Sequence, residues 1–117
     1  MLLTTGYRRG DIVLVKFVFA SETGSKRRPV LLLSSDEYME GRQEAVVSAI
    51  TSNTRRLLPG DHLMNDWEEA GLIFPSVTTG IIRTIKQSMI ERKMGVVSPR
   101  DLSEIESNLT QILELNN

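Results

Sequence analysis

The alternation of apolar and polar positions predicts short β-strands followed by one helix. The first apolar run, DIVLVKFVF over residues 11–19, is rich in β-branched and aromatic side chains and does not alternate. That composition is typical of a strand buried on both faces. A polar loop is predicted over residues 20–26. A second strand is predicted over residues 29–34, with Pro29 at its first position, where a missing N–H group is tolerated.

The middle of the chain predicts shorter elements. They are a third strand over residues 44–51, a loop over 52–60, a short strand over 62–65, one helical turn over 65–71, and strand segments over 75–79 and 80–85 with a bend at Gly80. Asn65 or Asp66 can cap the helical turn, and Gly71 can end it.

The C-terminus has the pattern of an amphipathic helix. Ser98 provides a hydroxyl cap, Pro99 stands at the first helical position, and Asp101 lies three residues after the cap. Apolar residues then recur at helical spacing, at Leu102, Ile105, Leu109, Ile112 and Leu113. One apolar stripe must pack on something, so we expect the helix to cover a small, strongly bent antiparallel sheet or barrel.

Composition indicates a single globular domain spanning residues 1–117. Hydrophobic residues make up 40% of the chain and charged residues 25%. The sequence has no cysteine, which excludes a disulfide scaffold, a thiolate metal site and a cysteine nucleophile. No apolar run reaches the roughly 18 residues of a membrane span, and the first residues do not resemble a signal peptide. We therefore expect a cytoplasmic protein that does not bind membranes.

The charge is unevenly distributed along the chain. The net charge is −1, but residues 1–60 carry nine Lys or Arg against six Asp or Glu, whereas residues 61–117 carry five against nine. A basic surface along the whole chain is therefore absent. An anion-binding site must be local and must come mainly from the first half.

Several kinds of chemistry are disfavoured by the sequence. His62 is the only histidine, and the carboxylates near it match no metal-ligand spacing, so we expect no metal and no cofactor. These carboxylates belong to Asp61, Asp66, Glu68 and Glu69. Glycine-rich phosphate loops are absent, and no serine stands in a nucleophile elbow.

Two groups of polar residues remain as candidates for function. Lys26, Arg27 and Arg28 precede an apolar strand, and Arg28 at its start can offer a fork of donors to a phosphate. The alternatives are solvated charges for Lys26 and Arg27, and pairing with a core carboxylate for Arg28. The third strand ends in a second group, Thr51, Ser52 and Asn53, which forms either ordinary turn contacts or a polar shelf beside Arg28.

Four segments together resemble the MazF/PemK (Kid-like) toxin family. They are GDIVLVKF at residues 10–17, KRRPVLLLS at 26–34, VVSAITSN at 46–53 and RTIKQSMIERKMGVVSPRDL at 83–102. The resemblance extends from about residue 10 to the C-terminus. It implies a mainly β fold, a small SH3-like antiparallel β-barrel with a C-terminal α-helix, that works as a homodimer.

The resemblance also implies a function. Such proteins are toxins of type II toxin–antitoxin pairs that cut single-stranded RNA, often mRNA, without metal, through attack by the ribose 2′-hydroxyl. The products are a 2′,3′-cyclic phosphate and a 5′-hydroxyl end. By matching the family motifs, Arg28 and Thr51 are the implied catalytic residues, with Lys26, Arg27, Ser52 and Asn53 as candidate RNA-binding residues. A cognate antitoxin with a disordered acidic tail is the implied protein partner.

The chain departs from the family pattern in one region. Some members carry an arginine–x–acid pair before the R-T-I element, but residues 76–82 here read SVTTGII. The acid that is common after R-T-I is Lys86 in this chain. Glu22, which precedes the basic cluster, is a candidate general base, and the general acid is left open. The alternative function is a binding module that keeps the barrel and its antitoxin- and nucleic-acid-binding surface but has weak or no catalysis.

Overall fold

The computed structural model describes residues 6–18 and 24–115. Their elements are, in chain order, β1 (Asp11–Val18), β2 (Ser25–Leu32), α1 (Asp36–Gly41), β3 (Glu44–Thr51), β4 (His62–Leu63), β5 (Val77–Lys86), a 3₁₀ turn (Gln87–Met89), β6 (Ile90–Val96) and α2 (Pro99–Ile112). The fold is mainly β with a C-terminal helix, as the sequence predicts.

The strands form one antiparallel sheet in the order β4-β5-β3-β2-β1-β6. The Arg83 guanidinium on β5 lies 5.1 Å from the centre of the Phe17 ring on β1, which indicates that the sheet is strongly curved. These strands are three positions apart, and a flat sheet would separate them by about 14 Å. Within the described residues the sheet is not closed, since β4 and β6 lie at its two ends. The structure is therefore a bent, incompletely closed barrel.

Both faces of the sheet are buried at its centre. One face of β1, β2 and β3 packs against α1 through Met39, and its strand residues are Val13, Val15, Val30, Leu32 and Val47. The other face packs against the 64–72 segment and α2, through residues such as Ile12, Leu31, Leu72 and Ile105. This two-sided burial explains why the first strand does not alternate in sequence. Among the described residues, no helix is long and apolar enough to cross a membrane.

The second strand begins earlier than the sequence predicts. The hairpin between β1 and β2 continues to the pair Val18 and Ser25, so the three cations lie within β2 and not in a loop before it. Pro29 is consequently internal to the strand. Proline has no N–H group to donate. It is tolerated here because β2 pairs with β3 only from Val30 onward, so no hydrogen bond to β3 is lost at Pro29.

The predicted helical turn over residues 65–71 is an irregular turn. The Ala70 N–H donates to the Asp66 carbonyl at the α-helical spacing of four residues, whereas the next two hydrogen bonds span three and five residues, from Gly71 to Glu68 and from Leu72 to Trp67. Gly71 then turns the chain away with a φ of +90°. The turn also packs against β6 so closely that a Cβ atom on Gly95 would overlap the Ala70 carbonyl. The turn is therefore fixed by contacts with β6 and α2 as well as by its own hydrogen bonds.

Three other elements differ from the predicted pattern. Helix α1 and strand β6 have no counterpart in the predicted elements, although Ser35 caps α1 by accepting a hydrogen bond from the Tyr38 N–H. Strand β5 is continuous through Gly80, but the predicted irregularity there is present as a register shift, because Ser48 pairs with Ile82 and Ile50 with Thr78. Residues 79–81 of β5 therefore lie opposite one residue of β3. The third strand has the predicted bounds of residues 44–51.

Helix α2 confirms its predicted start and is anchored by a buried carboxylate. Ser98 Oγ accepts a hydrogen bond from the Asp101 N–H at 3.2 Å, and Pro99 occupies the first helical position. The Asp101 side chain, fully buried, accepts hydrogen bonds from His62 Nε2 at 2.7 Å and from the backbone N–H groups of Asn65 and Asp66 at 2.9 and 2.8 Å. The acid therefore caps the irregular turn.

Candidate functional site

A cleft of about 790 Å³ opens at the curved sheet and collects several of the residues that the sequence singles out. The polar and aromatic residues among those lining it are Phe17, Arg28, Thr51, Ser52, Phe74, Ser76 and Arg83. They come from β1, β2, the end of β3, β5 and the segment before β5. The curvature of the sheet is what brings these distant parts of the chain to one cavity.

Arg28 lies on β2 opposite Val15 and is exposed. Two residues further along the same face, Val30 is buried, so the strand itself is fixed while the guanidinium reaches the cleft. Within the described part of the chain, no carboxylate pairs with Arg28. The described residues therefore do not support the alternative of an inward arginine neutralised by a core acid, and Arg28 lines the cavity.

Thr51 lies at the end of β3, and its contacts define the role of its hydroxyl. The Oγ1 atom accepts a hydrogen bond from the Asn53 N–H at 3.1 Å, and the Asn53 Oδ1 atom in turn accepts one from the Arg55 N–H at 3.1 Å. These turn contacts hold the Thr51 oxygen as an acceptor and leave its proton available to a ligand in the cleft. The turn contacts of Thr51 therefore do not use the donor capacity of its hydroxyl, and the residue lines the cleft.

The remaining predicted residues divide between the cleft and its surroundings. Ser52 lines the cleft, whereas Lys26, Arg27 and Asn53 are outside its lining. Arg27 Nε donates to Glu91 Oε1 on β6 at 2.7 Å, and this hydrogen bond lowers the pKa of Glu91 and raises the pKa of Arg27. Glu22 lies outside the described residues.

Arg83 lines the cleft, although the sequence does not predict it as a catalytic or RNA-binding residue. It belongs to the R-T-I segment on β5, opposite Val47, and its guanidinium stacks over Phe17. The sequence signal was the R-T-I motif itself, but nothing in the sequence placed that motif beside Arg28. Only the curvature of the sheet makes the two arginines neighbours of one cavity.

The cleft is cationic and contains no acid among the described residues that line it. Nor do His, Asp and Glu side chains in the described segments form a group of three that could hold a metal ion. His62, the single histidine, is bound to Asp101 away from the cleft. Two guanidinium groups, hydroxyls and apolar walls suit an anionic ligand that also has planar apolar parts.

Solved structures with the same fold were identified by comparison. A mycobacterial endoribonuclease in complex with its cognate antitoxin has 20% identity and a TM-score of 0.75, covering 96% of this chain and 99% of that chain. A chain of the crystal structure of MazE–MazF from Deinococcus radiodurans has 20% identity and a TM-score of 0.78, covering 94% of this chain and 98% of that chain. The Mycobacterium tuberculosis toxin MazF-mt6 has 22% identity and a TM-score of 0.72, covering 92% and 99%.

These similarities establish the fold, and a family model establishes the family. No curated protein gave a significant match to the chain. The model that matches residues 8–113 describes PemK-like, MazF-like toxins of type II toxin–antitoxin systems. Since the match covers nearly the whole sequence, the chain belongs to the PemK/MazF family of type II toxin–antitoxin toxins.

Proposed function

We propose that the protein is an endoribonuclease that cleaves single-stranded RNA, principally mRNA, as the toxin of its pair. The carrying observation is that Arg28, with no carboxylate partner in the described residues, shares a cleft with the Thr51 hydroxyl. Similar proteins of known structure bear the name endoribonuclease, which supports the same activity here. An anionic phosphodiester with flanking planar bases has the chemistry that this cavity suits.

The proposed reaction uses the substrate's own nucleophile. The ribose 2′-hydroxyl loses its proton to a base, its oxygen attacks the adjacent phosphorus, and the bond from phosphorus to the 5′-oxygen breaks. The departing oxygen takes up a proton, so the products are a 2′,3′-cyclic phosphate and a 5′-hydroxyl end. This route requires no metal, and the cationic lining of the cleft supplies the charge stabilisation that a metal would otherwise provide.

Arg28 and Thr51 act on the phosphate in this proposal. The guanidinium stabilises the negative charge that builds on the nonbridging oxygens, and the Thr51 hydroxyl donates a hydrogen bond to one of them. Arg28 is not the general acid, because an arginine side chain holds its proton too tightly. Glu22 remains the candidate base, and Ser52 is proposed to contact RNA within the cleft, with Lys26, Arg27 and Asn53 around it.

Cleavage of an unstructured RNA in EDTA tests this function. We expect the wild-type protein to produce 5′-hydroxyl termini and Arg28→Ala to lower kcat by about 100- to 1,000-fold, the usual effect of losing one preorganised donor. Arg92→Ala is the matched control, since Arg92 is exposed on β6 and does not line the cleft. Equal rates for wild type and Arg28→Ala would contradict the assigned role.

One observation favours a second function, that of a binding module without catalysis. Among the described residues lining the cleft there is no carboxylate or imidazole that could move a proton. If the wild-type protein binds RNA but leaves it intact both with EDTA and with added divalent metal, the binding module is the correct assignment. End mapping after mild expression in cells gives an independent answer and also identifies the cleavage sequence.

The assembly and its partner are also proposals. We propose that the protein works as a homodimer in the cytoplasm, with the toxin domain spanning residues 1–117. Exposed apolar side chains that surround the close approach of Gly60 and Gly80, namely Leu57, Leu58 and Ile81, offer surface for the second copy. An antitoxin with an acidic tail is the proposed inhibitor, since such a tail would cover the positive charge of Lys26, Arg27 and Arg28.

A further inference from the structure

Arg83 lines the cleft, and the proposed chemistry gives it no role. Its guanidinium is stacked over the Phe17 ring at 5.1 Å, and the residue is exposed and lines the same cavity as Arg28. In the described segments it has no carboxylate partner. A cation–π contact of this kind orients the planar group without using its hydrogen-bonding edge.

The stacked arrangement leaves a second flat surface available. The Phe17 ring lies on one side of the Arg83 guanidinium, and the residue as a whole is exposed, so a ligand can approach the group from another side. Unpaired bases of single-stranded RNA are bound by stacking on aromatic rings and on arginine planes. We propose that Arg83, held on Phe17, is a stacking platform for an unpaired base next to the phosphate that Arg28 binds, and thus a further RNA-binding residue of the cleft. This inference rests on the proposed RNA-cleaving function.

Three features favour a base over a second phosphate as the ligand of Arg83. First, Arg28 and Thr51 already supply the donors that one phosphate needs. Second, the orientation of Arg83 over a ring presents a plane to the ligand, and a plane is complementary to a base. Third, the neighbouring cleft wall includes Ile73 and Phe74, which are 75% and 63% exposed and provide apolar surface for a base and not for an anion.

Binding of 2′-O-methyl oligonucleotides, which lack the attacking hydroxyl, tests the platform separately from cleavage. Fluorescence anisotropy compares wild type with Arg83→Lys, which keeps the charge but removes the plane. We expect the Kd of Arg83→Lys to rise about 5- to 150-fold, the range for losing one base-stacking contact. The matched control is Arg42→Lys, because Arg42 stacks over Tyr38 at 5.5 Å outside the cleft, and we expect its Kd to stay within about twofold of wild type.

A series of oligonucleotides with one abasic position each identifies the stacked base. We expect one abasic position to weaken wild-type binding and to abolish the difference between wild type and Arg83→Lys, while the salt dependence of binding is the same for both proteins. The series on wild type alone also tests the platform if the variant fails to fold. Unchanged binding by Arg83→Lys, together with a lower salt dependence for Arg83→Met, would show a phosphate contact and overturn the proposal.

Cleavage assays separate this inference from the function on which it rests. If natural RNA stays intact while oligonucleotide binding depends on Arg83 as described, the nuclease assignment fails and the platform stands. If the wild type cleaves RNA, and Arg83→Lys cleaves the same sites at the same rate, the nuclease stands and the platform is refuted. Absence of any oligonucleotide binding by the wild-type protein refutes the platform as well.

Discussion

Removal of the Asp101 carboxylate is expected to destabilise the protein strongly, although the residue lies outside the cleft. Asp101→Ala removes the acceptor for four donors, which are the His62 ring nitrogen, the Asn65 side-chain amide and the backbone N–H groups of Asn65 and Asp66. The side chain is fully buried, so bulk water does not replace it. The irregular turn and helix α2 would both lose their shared anchor.

The magnitude follows from those contacts. An unsatisfied buried donor costs about 1–3 kcal/mol, and removing one partner of a buried charged network typically costs about 3–5 kcal/mol once the site relaxes. We therefore expect a loss of about 3–5 kcal/mol from a total unfolding free energy of about 5–15 kcal/mol. The matching fall in Tm for a chain of this size is about 10–20 °C. Asp101→Asn keeps the shape and one acceptor oxygen, but an NH₂ group replaces the other oxygen and cannot accept a hydrogen bond, and we expect the change to cost about 2 kcal/mol.

Urea unfolding at pH 7, followed by the fluorescence of Trp67, measures this effect. Trp67 is the only tryptophan and lies in the turn that Asp101 caps. Protein concentration must be fixed, because dimerisation would add to the apparent stability. The control is Asp36→Asn, whose partly exposed carboxylate accepts the Arg9 N–H at 2.9 Å and should cost about 1 kcal/mol or less. A change below about 0.5 kcal/mol for Asp101→Ala would refute the anchoring role.

Two further predictions concern pH and salt. Burial acts to raise the pKa of Asp101, but hydrogen bonds from Asn65, His62 and Asp66 outweigh it and lower the net pKa, and the Arg100 hydrogen bond lowers that of Asp66. A carboxyl group whose pKa is lowered on folding contributes its full stabilisation above its ordinary pKa near 3.8, and this contribution is lost as the pH falls through the folded pKa. We therefore expect the unfolding free energy to fall from about pH 4 downward, and to fall less steeply in Asp101→Asn. Acid titration followed by circular dichroism measures both. Antitoxin binding should weaken as salt rises, because it depends on the positive charge of Lys26 and Arg28, and a salt-independent Kd by calorimetry would contradict this.

The elements that the sequence predicts correctly are those with a local physical cause. The bounds of β3 follow from a compact apolar run, and the start of α2 follows from Ser98 and Pro99. The errors arise where a distant contact decides the structure. Strand β2 extends back to Ser25 because β1 pairs with it there, and the turn over residues 65–71 is set by a carboxylate from α2. No local pattern contains either partner.

The candidate site shows the same division. Arg28 and Thr51 were selected from the ends of predicted strands and from family motifs, and the structure places both at one cleft. Arg83 was visible only as part of the R-T-I motif, because its neighbour Phe17 is 66 residues away in the sequence and three strands away in the sheet. Sheet curvature is a property of the whole fold, so a reading of single segments could not bring these residues together.

The pairing of charges explains how a chain with a net charge of −1 can offer an anion site. In the described segments, seven cations outside the cleft form ion pairs with carboxylates. They are Arg8, Arg9, Arg27, Arg42, Lys86, Lys93 and Arg100. Arg28 and Arg83 differ, since they share a concave cavity whose described lining has no acid. Low-dielectric walls around unpaired cations concentrate positive potential in the cavity. The placement of carboxylates, and not the total charge, therefore decides where a phosphodiester can bind.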